Sequence, residues 1–170
     1  IEGVAAAKAE IIAGLRPEGT AVLNADDARA AAMAELAPAQ VLTFSAQGRA
    51  ADLRAENVDL DAAARAAFDL HLPGLDAPRR VQLAVAGAHN VANALAAAGL
   101  ALAARIAPEL IAERLGSVSI ESPHRMDVSE LGGDLLLIDD SYNANIDSMT
   151  AALAVLPALA GDRRRVVVVS

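Results

Sequence analysis

The chain has 170 residues, 55% of them hydrophobic, a formal net charge of −8 and no cysteine. That is apolar material for one sizeable core, or one and a fraction, and it excludes disulfide frameworks and thiolate metal sites. The acidic balance, the lack of a basic stripe and the scarcity of aromatics (two Phe, one Tyr) argue against nucleic acid as a partner. With no apolar run of membrane-spanning length and no visible signal peptide, a cytoplasmic protein without membrane insertion is expected.

Residues 1–15 predict a helix with Ile1, Val4, Ile11 and Leu15 on one stripe, stopped by Pro17 and Gly19. Residues 20–23 read as a short strand, Asn24-Ala25-Asp26-Asp27 as turn and N-cap, 27–36 as a helix halted near Pro38, and 41–44 as a second strand. Between 50 and 72 a weak alternation strengthens at Phe68, Leu70 and Leu72, which predicts antiparallel strands joined by a turn at 61–64. After Pro73-Gly74, Val81, Leu83 and Val85 alternate with Gln82 and Ala84, a strand with one buried face closed by Gly87. A helix over 90–106 carries Val91, Leu95, Ala98 and Leu102 on its apolar side, and Pro108 opens another that ends at Gly116. The small, polar stretch 117–122 before Pro123 is the best linker candidate.

Beyond it the pattern changes. Met126, Val128 and Glu130 suggest a strand, Gly132-Gly133 a hairpin turn, and 135–138 an all-apolar strand that runs into Asp139-Asp140. A loop to about Asp147 leads to a helix from Ser148, which Pro157 should end or kink. Arg163-Arg164-Arg165 reads as a solvated loop before a buried strand at 166–169. Apolar strands in strand–helix–strand order begin a parallel sheet, so the expected class is α/β, with a second domain that reads as cut off.

Four places suggest chemistry. Lys8 sits within the apolar stripe of the first helix, where an ammonium must be paired, snorkel to the rim or be chemically altered. Gly87-Ala88-His89-Asn90 with Asn93 puts two amides at i and i+3 on a helix start, as a polar ligand site or as ordinary capping by Asn90. Arg125, in Pro123-His124-Arg125, could clamp a phosphate or order the junction by a salt bridge. The run Asp139 to Asn145 exceeds what a turn needs, and it follows the carboxyl end of a buried strand, where open α/β sheets bind ligands.

These segments occur together in a known arrangement. Ala7-Lys8-Ala9-Glu10-Ile11, then V-L-N-A-D-D at 22–27, G-A-H-N-V-A-N-A-L-A-A at 87–97, His124-Arg125 and D-S-Y-N-A-N-I-D-S-M at 140–149 stand in the order and spacing of the Mur ligases. The chain resembles that family over nearly its whole length. H-N-x-x-N-A marks the family at large, and D-S-Y-N-A-N resembles the branch that adds D-alanyl-D-alanine. Ile146 departs from the Pro frequent there.

The resemblance implies a partial central domain, a sheet with flanking helices, followed by the start of a Rossmann-like domain. Residues 1–120 would be the C-terminal portion of the ATP-binding domain and 121–170 the N-terminal portion of the C-terminal ligase domain. It implies ATP and Mg²⁺ as cofactors, an acyl phosphate intermediate, and UDP-N-acetylmuramoyl-tripeptide and D-alanyl-D-alanine as partners, with a monomer expected for the complete bacterial enzyme. Lys8 would be carbamylated to give Mg²⁺ an anionic oxygen. Asn90 and Asn93 would contact the nucleotide, Arg125 its phosphate and Asp140 its ribose, with Lys8 and Arg125 counted as catalytic. Ser141, Tyr142, Asn143 and Asn145 would line the dipeptide side.

No G-x-x-x-x-G-K-[ST] phosphate loop occurs in these residues, so a fragment inactive alone is expected. The competing readings are another Mur-type or folylpolyglutamate-synthase-type ligase, and a non-catalytic module of the same fold.

Overall fold

The computed structural model describes residues 2–118, 124 and 126–169. Arg125 and most of the expected linker ahead of it, residues 119–123, lie outside the described residues.

The first part is a five-stranded mixed sheet in the order β1-β2-β3-β4-β5. Helix α1 (Glu2–Ala13) leads into β1 (Thr20–Asn24), and α2 (Ala28–Ala32), continued by a 3₁₀ turn (Met33–Leu36), connects to β2 (Gln40–Ser45). Asp27 caps α2, its Oδ1 accepting from the Arg29 and Ala30 amides at 2.8 and 3.2 Å. β1 and β2 run parallel with Val22 opposite Leu42.

β3 (Leu53–Leu60) is also parallel to β2, yet the link between them is far shorter than a crossover normally requires. The register explains this: only Phe44↔Leu53 and Ser45↔Arg54 pair, so β3 starts where β2 ends and the chain barely doubles back. Asp52 pins the return, accepting from the Thr43 amide at 2.7 Å and hydroxyl at 2.8 Å. β4 (Arg65–His71) and β5 (Arg79–Ala86) complete the sheet antiparallel.

Alternation on these strands decides the core. Ala66, Phe68 and Leu70 of β4 and Val81 and Leu83 of β5 turn inward beneath α3 (Asn90–Ala103) and α4 (Pro108–Leu115). Val91, Leu95 and Ala98 form the stripe that α3 lays on the sheet, and Ile111, Ala112 and Leu115 do the same for α4. α3 can approach β1 closely because Gly99 faces Val22; a Cβ there would meet Val22 Cγ1 at 2.6 Å.

The second part is a hairpin of β6 (Asp127–Gly132) and β7 (Leu135–Asp139), followed by α5 (Ile146–Ala160). Gly133 and Asp134 have φ of 60° and 63°, the positive pair that a tight hairpin turn of this twist requires. Asn145 and Ser148 form a reciprocal capping box, so α5 begins before Ser148. It runs through Pro157 to Ala160, so that proline does not end the helix.

Two expectations are corrected. The stripe of α1 is not buried: Val4 is 60% and Ile11 71% exposed, because this alanine-rich helix packs mainly against the 3₁₀ turn. Residues 166–169 form no strand, and Val168 is 90% exposed. Among the described residues no strand lies beside them, and an extended segment without a ladder partner gains neither hydrogen bonds nor cover.

Candidate functional site

The first cluster grows from the end of β5. Gly87 takes φ +106°, which an L side chain rarely adopts, and its amide donates to the Ala64 carbonyl at 2.7 Å. The β3–β4 turn therefore sets where β5 gives way to α3. The His89 ring lies against Gly87, so close that a Cβ on Gly87 would come within 2.5 Å of its Cε1.

Asn90 does not cap the helix; His89 holds the cap position without a side-chain bond. Asn90 is 8% exposed, donates through Nδ2 to the Ala86 carbonyl at 2.8 Å and accepts from Asn93 Nδ2 at 3.0 Å. Asn93 itself is exposed. The pair is thus a relay: a buried amide tied to the strand end orients a surface amide that can meet a polar ring.

The second cluster stands at the end of β7. Asp139 Oδ2 pairs with His124 Nδ1 at 2.7 Å, while Oδ1 accepts from the Ser141 amide at 3.1 Å and hydroxyl at 2.7 Å. The bonds to His124 and then Ser141 hold its carboxyl down from 3.8 to about 2. Asp140 Oδ1 accepts from the Met126 amide at 3.0 Å, and the Tyr142 amide donates to the His124 carbonyl at 3.0 Å.

Asn145 Oδ1 is committed to the Ser148 amide at 2.9 Å, so this predicted ligand residue serves α5 as its cap. Tyr142 and Asn143 are exposed. The clusters are in electrostatic reach of each other: partial desolvation lowers the pKa of His89, and the Asp140 carboxylate opposes that. Lys8 stands exposed on α1, and Arg125 lies outside the described residues.

Sequence reasoning missed Asp26. Its carboxylate, 8% exposed, accepts from Ser45 Oγ and the Ala46 amide, both at 2.7 Å, and clamps the ends of β1 and β2 together. The signal was available, since one N-cap needs only one of two adjacent aspartates. Nothing in the spacing tied His124 to Asp139, because that contact joins residues on either side of a hairpin.

Two strand ends thus stand out in this α/β protein: that of β5, with a positive-φ glycine and two linked amides, and that of β7, where Asp139 and Asp140 anchor the loop that follows. The chain belongs to the Mur ligase family: residues 1–101 match the Mur ligase middle domain. Over 159 residues it is 43% identical to the UDP-N-acetylmuramoyl-tripeptide–D-alanyl-D-alanine ligase of Mycobacterium tuberculosis, covering 94% of this chain and 31% of the relative. A crystal structure of MurF from Acinetobacter baumannii superimposes with a TM-score of 0.82 at 35% identity, over 92% of this chain and 33% of that one. The UDP-N-acetylmuramate–L-alanine ligase of Stenotrophomonas maltophilia is 36% identical over 168 residues, 96% of this chain and 34% of that enzyme. The chain thus spans about a third of the length of these relatives.

Proposed function

We propose that these residues belong to a cytoplasmic ATP-dependent ligase that joins D-alanyl-D-alanine to UDP-N-acetylmuramoyl-tripeptide, a step in peptidoglycan precursor synthesis. The observation that carries this is the 43% identity to an enzyme of that name across nearly the whole chain, in a chain whose D-S-Y-N-A-N loop follows a strand end. Residues 1–120 would belong to the ATP-binding domain and 121–170 to the ligase domain that meets it.

In this reading ATP converts a substrate carboxylate to an acyl phosphate, and the dipeptide amine displaces phosphate as the amide forms. Such chemistry depends on positioning and charge stabilisation. Asn93, aimed by Asn90, would meet the adenine, Asp140 the ribose and Arg125 a phosphate. Ser141, Tyr142, Asn143 and Asn145 would face the dipeptide, with the Ser141 hydroxyl and the Asn145 carboxamide oxygen already engaged within the loop.

Lys8, as a carbamate, would offer Mg²⁺ one oxygen. Among the described residues no group of three or more His, Cys, Asp or Glu could hold a metal. In this reading the ion would come with the phosphates of ATP, and Lys8 would add its oxygen to theirs. Among the described residues, too, no helix is long and apolar enough to cross a membrane.

The second reading is a ligase adding L-alanine to UDP-N-acetylmuramate, favoured by the relative 36% identical over 96% of the chain. Incubating the complete protein with ATP and each acceptor–amine pair, and weighing the products, separates the two. Amide formation only with L-alanine would overturn the first.

A further inference from the structure

Both carboxylate oxygens of Asp139 are engaged by the chain itself. One accepts from the Ser141 amide and hydroxyl, and the other is paired with His124. Its neighbour Asp140 and the next-but-one residue beyond, Tyr142, reach the same short segment, through the Met126 amide and the His124 carbonyl. That segment is strained. His124 and Met126 both have positive φ, 62° and 50°, a conformation that side-chain-bearing residues hold only when their surroundings enforce it. The enforcing contacts are these hydrogen bonds, together with the ladder that begins at Asp127↔Asp139.

We infer that Asp139 and His124 form a positioning clip, which holds His124 and Met126 against the loop and so sets where Asp140, Ser141 and Tyr142 present themselves. The inference rests on the ligase reading for what the loop touches, but not for the clip itself. Removing the Asp139 carboxylate frees His124 to leave its strained conformation. The His124 carbonyl then withdraws from the Tyr142 amide, and the loop loses its register against β6. Asp139 acts through its neighbours and touches no reacting atom, so its loss misplaces groups without deleting one. Ionisation suits the role, since a carboxylate held at about 2 stays an acceptor across the working range.

The complete enzyme tests this. Asp139→Ala and His124→Ala each lower kcat/KM for ATP about tenfold, the rate equivalent of one lost charge-assisted hydrogen bond. The double variant falls no further than the worse single one, because both remove one clip. His124→Asn recovers most of the loss, since asparagine keeps a donor near the Nδ1 position and tolerates positive φ. Hydrogen exchange at the Ser141 and Tyr142 amides accelerates in both alanine variants while α3 exchanges as before.

Native kinetics and native exchange in a folded Asp139→Ala protein would overturn the clip, as would fully additive losses. If Asp139→Ala does not fold, the His124→Ala and His124→Asn pair decides, with equal losses in both counting against it. If the unsubstituted enzyme fails to use D-alanyl-D-alanine, the ligase reading falls, and exchange at Ser141 and Tyr142 still judges the clip.

Discussion

At the scale of single residues, Asp139 and Asp140 stand side by side with different duties. Asp140 spends one carboxylate oxygen on the Met126 amide and is the one proposed to meet the nucleotide. Asp140→Ala in the complete enzyme should reduce kcat/KM for ATP roughly tenfold or more, as expected for a lost hydrogen bond to a charged group. Steady-state kinetics with ATP varied checks this, and unchanged constants would remove Asp140 from the site. Asp139 makes a prediction about acid stability. Its folded pKa lies below the unfolded one, so its contribution is present above 3.8 and is lost as pH falls toward about 2. Melting curves of the wild type and of Asp139→Asn should therefore converge across that window; a constant gap down to pH 2 contradicts the assignment. Lys8 belongs here too. Lys8→Ala should abolish ligation, with partial rescue by a small carboxylic acid, and full activity without additive would exclude the carbamate.

At the scale of elements, the joint between α3 and β1 offers a contest of two effects with known sizes. Replacing Gly99 by alanine gains about 1 kcal/mol of helix propensity. The new methyl would stand 2.6 Å from Val22 Cγ1, and overpacking of this kind costs about 1–3 kcal/mol. Because valine is stiff about χ1, the clash should win. Gly99→Ala should lower the urea midpoint, and Val22→Ala in the same chain should restore part of it; a stabilised single variant would show that α3 can slide. The same scale shows which elements the sequence disclosed. Val81 and Leu83 announced β5 by strict alternation, and the stripe of Val91, Leu95 and Ala98 announced α3; both bury the face expected. Boundaries were less legible. The expected helix to residue 106 ends at Ala103, where the chain turns through Arg105 at φ 62°. A left-handed arginine carries no marker in composition.

At the scale of the whole molecule, the chain holds the residues of two strand ends but no glycine-rich phosphate loop. Asn93 and Asp140 can present their side chains, yet nothing in these residues cradles the β- and γ-phosphates. The isolated 170 residues should therefore show no ligase or ATPase activity and bind Mg-ATP no better than about millimolar. Isothermal titration beside a phosphate-release assay checks this; micromolar binding or turnover would refute it. Exposed valines at 166–169 and the open face of α1 should also make the isolated chain prone to aggregate.

The sequence by itself determined the α/β class, the alternation of the core strands, the stripe of α3, and the family, because periodicity and local motifs are properties of neighbouring residues. It also placed the polar loop at the end of β7. Only the tertiary structure decided the rest. That Asn90 is a buried orienting amide, that Asp26 clamps β1 to β2, and that His124 closes on Asp139 depend on contacts between residues far apart in the chain. The stripe of α1 and the apolar run at 166–169 make the converse point. Both have a pattern fit for burial, and both are exposed, since a pattern states what a segment can bury and only a neighbouring surface determines whether it does.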